Sequence, residues 1–152
     1  MVAAAGPASA AEPVYFADPN LLAAVEESLG IEQPTAADMF GLTELDASKK
    51  GIVDLAGLEY AVNLTSLRLN NNQIADVSAV SGLANLTYLN LYKNRISDIS
   101  VLAGLTNLED VNLRANGGIR DISALSGLEN LTSLFLCYNQ ISDISGIWRL
   151  KR

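Results

Sequence analysis

The chain has 152 residues, and a hydrophobic fraction of 49% provides enough apolar side chains for one folded domain with a core. A net charge of −7 argues against general binding of nucleic acids or anionic membranes, which require a basic surface. Because the chain has no histidine and one cysteine, it cannot form an intrachain disulfide, a His-based catalytic site or most common transition-metal sites.

The first 13 residues, MVAAAGPASAAEP, are mostly small and show no apolar period, so we predict a disordered lead-in. The letters ASA followed by AEP resemble the cleavage end of a secretory signal. The charged start and the apolar core of such a signal are absent. The remainder of a trimmed export signal is therefore the alternative interpretation of this segment.

Two helices are predicted next, and residues 14–41 should form an N-terminal helical cap. Asp18 is a suitable N-cap residue with Pro19 at the first helical position, and Gly30 should end this helix. The letters TAAD, which begin at Thr35, have the spacing of a capping box and indicate a second, short helix. Both helices can cover the exposed leucines at the start of the segment that follows residue 41.

From residue 42 the chain repeats one unit. NLTSLRLNNNQIADVSAVSGLA is followed 22 residues later by NLTYLNLYKNRISDISVLAGLT, and three further copies are recognisable. One copy is a residue longer, because either Gly117 or Gly118 is extra. The five predicted repeats, which we call rungs 1 to 5, comprise residues 42–63, 64–85, 86–107, 108–130 and 131–152.

Each rung has seven apolar positions that recur at the same place in the unit. In rung 2 these positions are Leu64, Leu67, Leu69, Ile74, Val77, Val80 and Leu83. The pattern L-x-x-L-x-L-x-x-N-x-L is the leucine-rich repeat signature. It predicts an α/β solenoid, a right-handed coil with a short parallel β-sheet on its concave face and 3₁₀ turns on its convex side.

Two polar columns accompany the apolar ones. Asn72, Asn94, Asn116 and Asn139 come where the chain turns inward, so we expect their amides to bond backbone groups on both sides; glycosylation or ligand binding is the alternative. An aspartate column is followed two residues later by serine in most rungs. We expect Asp54, Asp76, Asp98, Asp121 and Asp143 to cap the turns, with calcium binding as the alternative.

The outward strand residues should form the concave face. Its aromatic and basic residues have the composition favoured at binding hot spots, and ordinary solvent exposure is the alternative interpretation. The predicted protein-binding residues are Arg68, Tyr88, Asn90, Tyr92, Lys93, Asp110, Asn112, Arg114, Phe135 and Tyr138. Five strands with four outward residues each give a footprint on the order of 250 Å², well below the roughly 800 Å² per partner of a standard interface.

In rung 5 the outer sides of the apolar columns have no following rung in this sequence. Unless a downstream segment or a second copy of the chain covers them, we expect water to reach the outer sides of Leu134, Leu136, Ile141, Ile144 and Ile147. A homodimer formed through this rung is therefore one predicted assembly. We find no catalytic, cofactor-binding or metal-binding motif, and the paired carboxylates Glu44 and Asp46 have no pocket around them, so an enzyme is not expected.

The helical cap, the 22-residue period and the phrase GLEYAVNLTSLRLNNNQI together resemble the internalin-type leucine-rich repeat domains of bacterial surface and secreted proteins. The resemblance covers roughly residues 14 to 152. It implies a non-enzymatic module, secreted or at the cell surface, that binds a protein partner through its concave face. A structural or self-assembling scaffold and a cytoplasmic regulatory leucine-rich repeat protein are the two alternatives that we retain.

Overall fold

The computed structural model describes residues 12–147. Its two α-helices are α1 (Pro19–Leu29) and α2 (Ala36–Met39), and five three-residue strands follow. The strands are β1 (Glu44–Asp46), β2 (Ser66–Arg68), β3 (Tyr88–Asn90), β4 (Asp110–Asn112) and β5 (Ser133–Phe135). No helix in this part of the chain is long and apolar enough to cross a membrane. The predicted lead-in up to residue 11 and the last column position, Leu150, lie outside the described residues.

The predicted helix ends are confirmed. The side chain of Asp18 accepts the N–H of Asn20 at the start of α1, and Gly30 ends the helix in the left-handed conformation, with φ 67°. Thr35 and Asp38 form a capping box at the start of α2, because each side chain bonds the backbone N–H of the other residue. The residues at the helix ends were therefore sufficient to predict the positions of both helices from the sequence.

The cap is fixed to rung 1 by contacts between residues far apart in the sequence. The second carboxylate oxygen of Asp18 accepts the N–H of Val53 at 2.7 Å, so one side chain both caps α1 and anchors it. The ring of Phe16 lies against Gly57, where an added Cβ would come within 2.6 Å of it. Helix α1 thus covers the apolar side of β1 that no other rung covers.

The strands form one parallel sheet in the order β1-β2-β3-β4-β5. Each residue pairs with its equivalent in the next rung; Leu45, for example, pairs with Leu67 and Leu67 with Leu89. The pairing of Asp110 with Ser133 keeps this register although that rung is one residue longer. Its extra glycine is accommodated in the turn after β4, where Gly117 has φ 75°.

The chain leaves each strand through a left-handed residue. Lys49, Asn71, Lys93, Ala115 and Tyr138 all have φ between 56° and 61°. Lys93 and Tyr138 were predicted as outward strand residues, but the strands end earlier because the chain must turn inward to bring the asparagine column into the interior. Inter-rung hydrogen bonds nevertheless continue through them: the Lys93 N–H donates to Arg114 O at 2.9 Å. The ladder therefore extends beyond the three-residue strands.

Stacking of the rungs buries the apolar columns as predicted through the first four rungs. All seven columns are at most 2% exposed in those rungs. In rung 5, Leu131 is buried, Leu134 and Leu136 are half-buried, and Ile144 is 66% exposed. Burial therefore depends on having a rung on each side, as expected for a solenoid.

The asparagine column bonds both its own rung and the preceding one, which confirms the structural interpretation. The amide nitrogen of Asn94 donates to Leu91 O of its own rung and to Leu69 O of the rung before, at 3.1 and 3.0 Å. Its oxygen accepts the N–H of Ile74 at 3.1 Å. The amide is buried, so it provides hydrogen-bond partners to backbone groups that water cannot reach.

Candidate functional site

The concave face consists of the outward side chains of the strands and of the ladder residues just after them. Neighbouring rungs place equivalent residues side by side about 4.8 Å apart, so side chains touch across rungs. The aromatic and cationic members of this surface form what we call the tyrosine–arginine face. It comprises Arg68, Tyr88, Tyr92, Lys93, Arg114, Phe135 and Tyr138.

Arginine side chains on this face lie over tyrosine rings. The guanidinium carbon of Arg68 lies 5.0 Å from the centre of the Tyr88 ring on the next rung. Arg114 lies 5.7 Å from the centre of the Tyr92 ring on one side and 5.0 Å from that of Tyr138 on the other. These are cation–π distances, and they hold the guanidinium groups in place on an otherwise open surface.

Asn90 and Asn112, predicted to bind a partner, use their amide oxygens within the chain. The oxygen of Asn90 accepts the N–H of Tyr92 at 3.0 Å, and that of Asn112 accepts the N–H of Arg114 at 3.1 Å. Such short-range bonds hold the backbone after the strand in its turn. Their first effect is therefore to position Tyr92 and Arg114.

The remaining predicted residues lie at different levels of exposure. Lys93 is exposed and Asp110 half-buried, and neither side chain has a hydrogen bond or ion pair to the described part of the chain. Phe135 and Tyr138 are 49% and 71% exposed, so rung 5 presents an aromatic surface. The backbone of Tyr138 has φ 61°, which is unusual for a residue with a large side chain. The ring of the same residue packs against Arg114.

Asp46 lies on the concave face as expected but was not among the predicted protein-binding residues. The Ser48 hydroxyl and N–H, with smaller contributions from Arg68 and Lys50, hold the pKa of Asp46 below its ordinary value. Asp46 pairs in register with Arg68, so an acidic residue borders the tyrosine–arginine face on the rung 1 side. The signal was present in the sequence, because opposite charges occupy equivalent positions of adjacent repeats.

The aspartate column caps the convex turns, which confirms the structural interpretation. Asp98 accepts the N–H of Ser100 at 2.8 Å, and Asp121 accepts that of Ser123 at the same distance. These N–H donors, followed by the serine hydroxyls, lower the pKa of both aspartates. Between residues 12 and 147, no three acidic or cysteine side chains are grouped so that they could hold a metal ion.

Comparison with protein families agrees with the repeat pattern. A model of two leucine-rich repeats matches residues 84–127, and a model of a single leucine-rich repeat matches residues 60–81. These matches fall mainly on rungs 2 to 4, where the columns are most regular. A comparison with curated protein sequences finds no match.

Solved structures share the architecture. An internalin, inlF of Listeria monocytogenes, is 29% identical with a TM-score of 0.74, and the match covers 95% of this chain and 51% of that protein. A leucine-rich repeat protein of Leptospira interrogans is 26% identical with a TM-score of 0.58, covering 66% of this chain and 27% of its own. A structure of CBM51-2 and INT domains from Clostridium perfringens ZmpB is 32% identical with a TM-score of 0.53, covering 59% and 20%.

The chain thus spans about half the length of the Listeria internalin that it matches. Over the matched residues the two structures superpose with a TM-score of 0.74, so they share the arrangement of a helical cap and stacked parallel strands described above only as far as that likeness extends. The repeat matches and this structural similarity show that the chain carries leucine-rich repeats with an internalin-type architecture.

Proposed function

We propose that the chain is a protein-binding module, secreted or displayed at a bacterial surface, that recognises a protein partner through its concave face. The observation that carries the proposal is the tyrosine–arginine face, in which two arginines are held on tyrosine rings beside the exposed Phe135 and Tyr138. Tyrosine and arginine are the residue types that most often dominate binding energy at protein interfaces. The similarity to an internalin supports the secreted or surface location.

The family fold also supports a role in interaction and not in catalysis. The concave face is open: its carboxylates Glu44 and Asp110 lie on the sheet surface, and Asp46 borders only a shallow, open depression against α1. An open surface that presents large rigid side chains suits a protein partner better than a small substrate, which needs a concave pocket to bury it.

The test is a binding experiment with two matched variants. The face variant carries Tyr88→Ser, Tyr92→Ser, Phe135→Ser and Tyr138→Ser, and the control variant carries Tyr15→Ser, Phe40→Ser and Tyr60→Ser, which are exposed aromatics outside the face. Proteins captured by the wild-type chain are quantified by mass spectrometry, and the best candidate is then purified and titrated.

We expect the purified partner to lose at least about tenfold in affinity for the face variant, since truncating one hot-spot residue alone removes more than about 1 kcal/mol. The control variant should bind as the wild type does. Equal binding of all three proteins, each shown to be folded by circular dichroism, would contradict the proposal.

Self-association is a second candidate function, and one observation favours it. Strand β5 pairs only with β4 among the described residues, and Ile144 of the same rung is 66% exposed. A second copy of the chain docked on rung 5 would cover this surface. Sedimentation velocity should then show a dimer that Ile144→Lys dissociates, whereas a monomer at millimolar concentration would rule this candidate out.

A further inference from the structure

The charge of the concave face differs in sign from that of the molecule. The outward positions of rungs 2 to 5 include three cations, Arg68, Lys93 and Arg114, and one carboxylate, Asp110, which is a net charge of +2. The whole chain carries −7. The tyrosine–arginine face is therefore a basic island on an acidic protein.

The two arginines of the island have unused hydrogen-bonding edges. Arg120 donates to Gln140 Oε1 at 2.7 and 3.1 Å, and Arg95 donates to Gln73 Oε1 at 2.9 Å. For Arg68 and Arg114, by contrast, the described part of the chain supplies no hydrogen-bond acceptor and no carboxylate within ion-pair distance. Stacking on tyrosine uses the plane of a guanidinium and leaves the N–H donors at its edge, which suit a carboxylate.

The surroundings of the island limit the size of an anionic ligand. Glu44 and Asp46 border it on the rung 1 side, and the aspartates of the convex turns lie behind it. A long polyanion would extend over these carboxylates and be repelled, whereas a short acidic segment would stay within the island. The charge distribution therefore favours a local acidic stretch of a protein over a nucleic acid or an anionic polysaccharide.

The positions of the arginines set the spacing of the ligand's charges. Arg68 lies on rung 2 and Arg114 on rung 4, two strand spacings across and two residues further along, a separation on the order of 12 Å. An extended peptide rises about 3.3 Å per residue and points every second side chain to the same side, so two carboxylates that reach both arginines would be about four residues apart. Beyond Arg114, Phe135 and Tyr138 provide apolar surface.

We infer that the concave face binds an extended acidic segment of its partner, with two carboxylates about four residues apart over Arg68 and Arg114 and an apolar side chain against Phe135 and Tyr138. This inference rests on the proposed function, since it names the chemistry that the same face recognises. It adds that recognition depends on salt and on charge, which aromatic contacts alone would not require.

The experiment uses random 12-residue peptides displayed on phage and selected on the full chain. Enriched peptides are synthesised and titrated by fluorescence anisotropy against the wild type, Arg68→Glu/Arg114→Glu, the milder Arg68→Gln/Arg114→Gln, and the face variant. Arg95→Glu/Arg120→Glu makes the same change of charge outside the face and is the matched control. Circular dichroism confirms that each variant is folded.

We expect enriched peptides to be acidic, with carboxylates at the stated spacing. They should lose at least tenfold in affinity for Arg68→Glu/Arg114→Glu, less for the glutamine pair, and little for Arg95→Glu/Arg120→Glu. Raising the salt concentration should also weaken their binding. Tighter binding of heparin than of these peptides would overturn the inference in favour of an anionic polysaccharide.

The set of variants distinguishes failure of this inference from failure of the proposed function. The selected peptides could instead be neutral or basic, bind both arginine double variants as they bind the wild type, and fail to bind the face variant. That result would overturn the acidic ligand but would still support binding through the concave face. Peptides that bind every variant equally would overturn both, because neither the arginines nor the aromatic side chains would then contribute to recognition.

Discussion

Each interior asparagine serves as a tie between two rungs. Asn94, Asn116 and Asn72 are buried, and each donates to one carbonyl of its own rung and one of the preceding rung. A buried backbone group left without a partner costs roughly 1 to 3 kcal/mol. The amide is therefore required because it donates and accepts hydrogen bonds. An apolar side chain of similar size would fill the space but leave the backbone groups without partners.

Asn94→Ala should lower the free energy of unfolding by about 3 kcal/mol, because it leaves the N–H of Ile74 without a partner in the interior and removes one of the two bonds that Leu69 O and Leu91 O each accept. Asn139→Ala removes the equivalent side chain from a half-buried position in rung 5, where water can replace it. We expect a loss of only about 1 kcal/mol there. Urea unfolding followed by circular dichroism measures both, and equal losses would contradict the role of burial.

The aspartate column makes stability depend on acidity. The N–H and hydroxyl groups of the serine two residues later lower the pKa of Asp98, Asp121 and Asp143 in the folded chain from 3.8. A lowered folded-state pKa contributes stability that is present above pH 3.8 and is lost as the pH falls through the folded value.

The urea midpoint of the wild type should accordingly fall as the pH is lowered below about 4. The triple variant Asp98→Asn, Asp121→Asn, Asp143→Asn keeps an oxygen acceptor at each turn but cannot titrate. Its midpoint should change less over the same range of pH. An equally steep decline in the triple variant would show that other carboxylates are responsible.

At the scale of elements, the cap and rung 1 meet through one close contact. Gly57 has φ 101° at the start of the 3₁₀ turn Leu58–Tyr60, and an added Cβ would lie 2.6 Å from the ring of Phe16 and 2.8 Å from Tyr15 O. Both the backbone conformation and the space exclude a side chain at this position.

Gly57→Ala should therefore destabilise the chain by roughly 3 kcal/mol, combining a strained backbone with displacement of Phe16. Gly82→Ala is the matched control, since an added Cβ there meets nothing within 4 Å. We expect Gly82→Ala to unfold at nearly the wild-type urea concentration. A similar loss in both variants would mean that close packing at Gly57 is unimportant.

The positions of the two helices could be predicted from the sequence, but the contacts by which they dock on rung 1 could not. Asp18, Pro19 and Gly30 are local signals, because helix ends are satisfied by residues within a few positions of them. The bond from Asp18 to Val53 and the packing of Phe16 on Gly57 join residues more than thirty positions apart. No periodic pattern encodes such contacts, which depend on how the cap settles on rung 1.

At the scale of the whole molecule, stability should be additive over rungs, because each rung contacts chiefly its neighbours. Deleting residues 86–107 joins Asn85 to Leu108 and removes one complete rung without changing the register. We expect one cooperative urea transition at a lower midpoint, with an m-value reduced by roughly a fifth.

Deleting residues 86–96 removes only half of the same rung and is the control. It should abolish folding, because the chain would return to the sheet out of register. Circular dichroism and urea unfolding distinguish the two outcomes. Native-like stability of the half-rung deletion, or failure of the full-rung deletion to fold, would contradict the modular account.

The repeat pattern predicted which side chains face outward but not how they pair. The columns place Arg68 beside Asn90 and Arg114 beside Tyr92, since equivalent positions are neighbours, and they leave Tyr88 and Tyr138 diagonal to the arginines. Which ring each guanidinium lies over depends on side-chain rotamers and on the left-handed turn at Tyr138, neither of which a repeat pattern specifies. The binding role of this face remains a prediction.

Recognition through the concave face is tested most directly by NMR. Selected peptide is titrated into ¹⁵N-labelled chain, and the shifts of backbone amides are followed. We predict shifts concentrated at Tyr88, Tyr92, Arg114 and Tyr138, with the convex turn amides, such as that of Ser100, unchanged. Shifts confined to the convex turns or to α1, with the strand amides unmoved, would contradict the account.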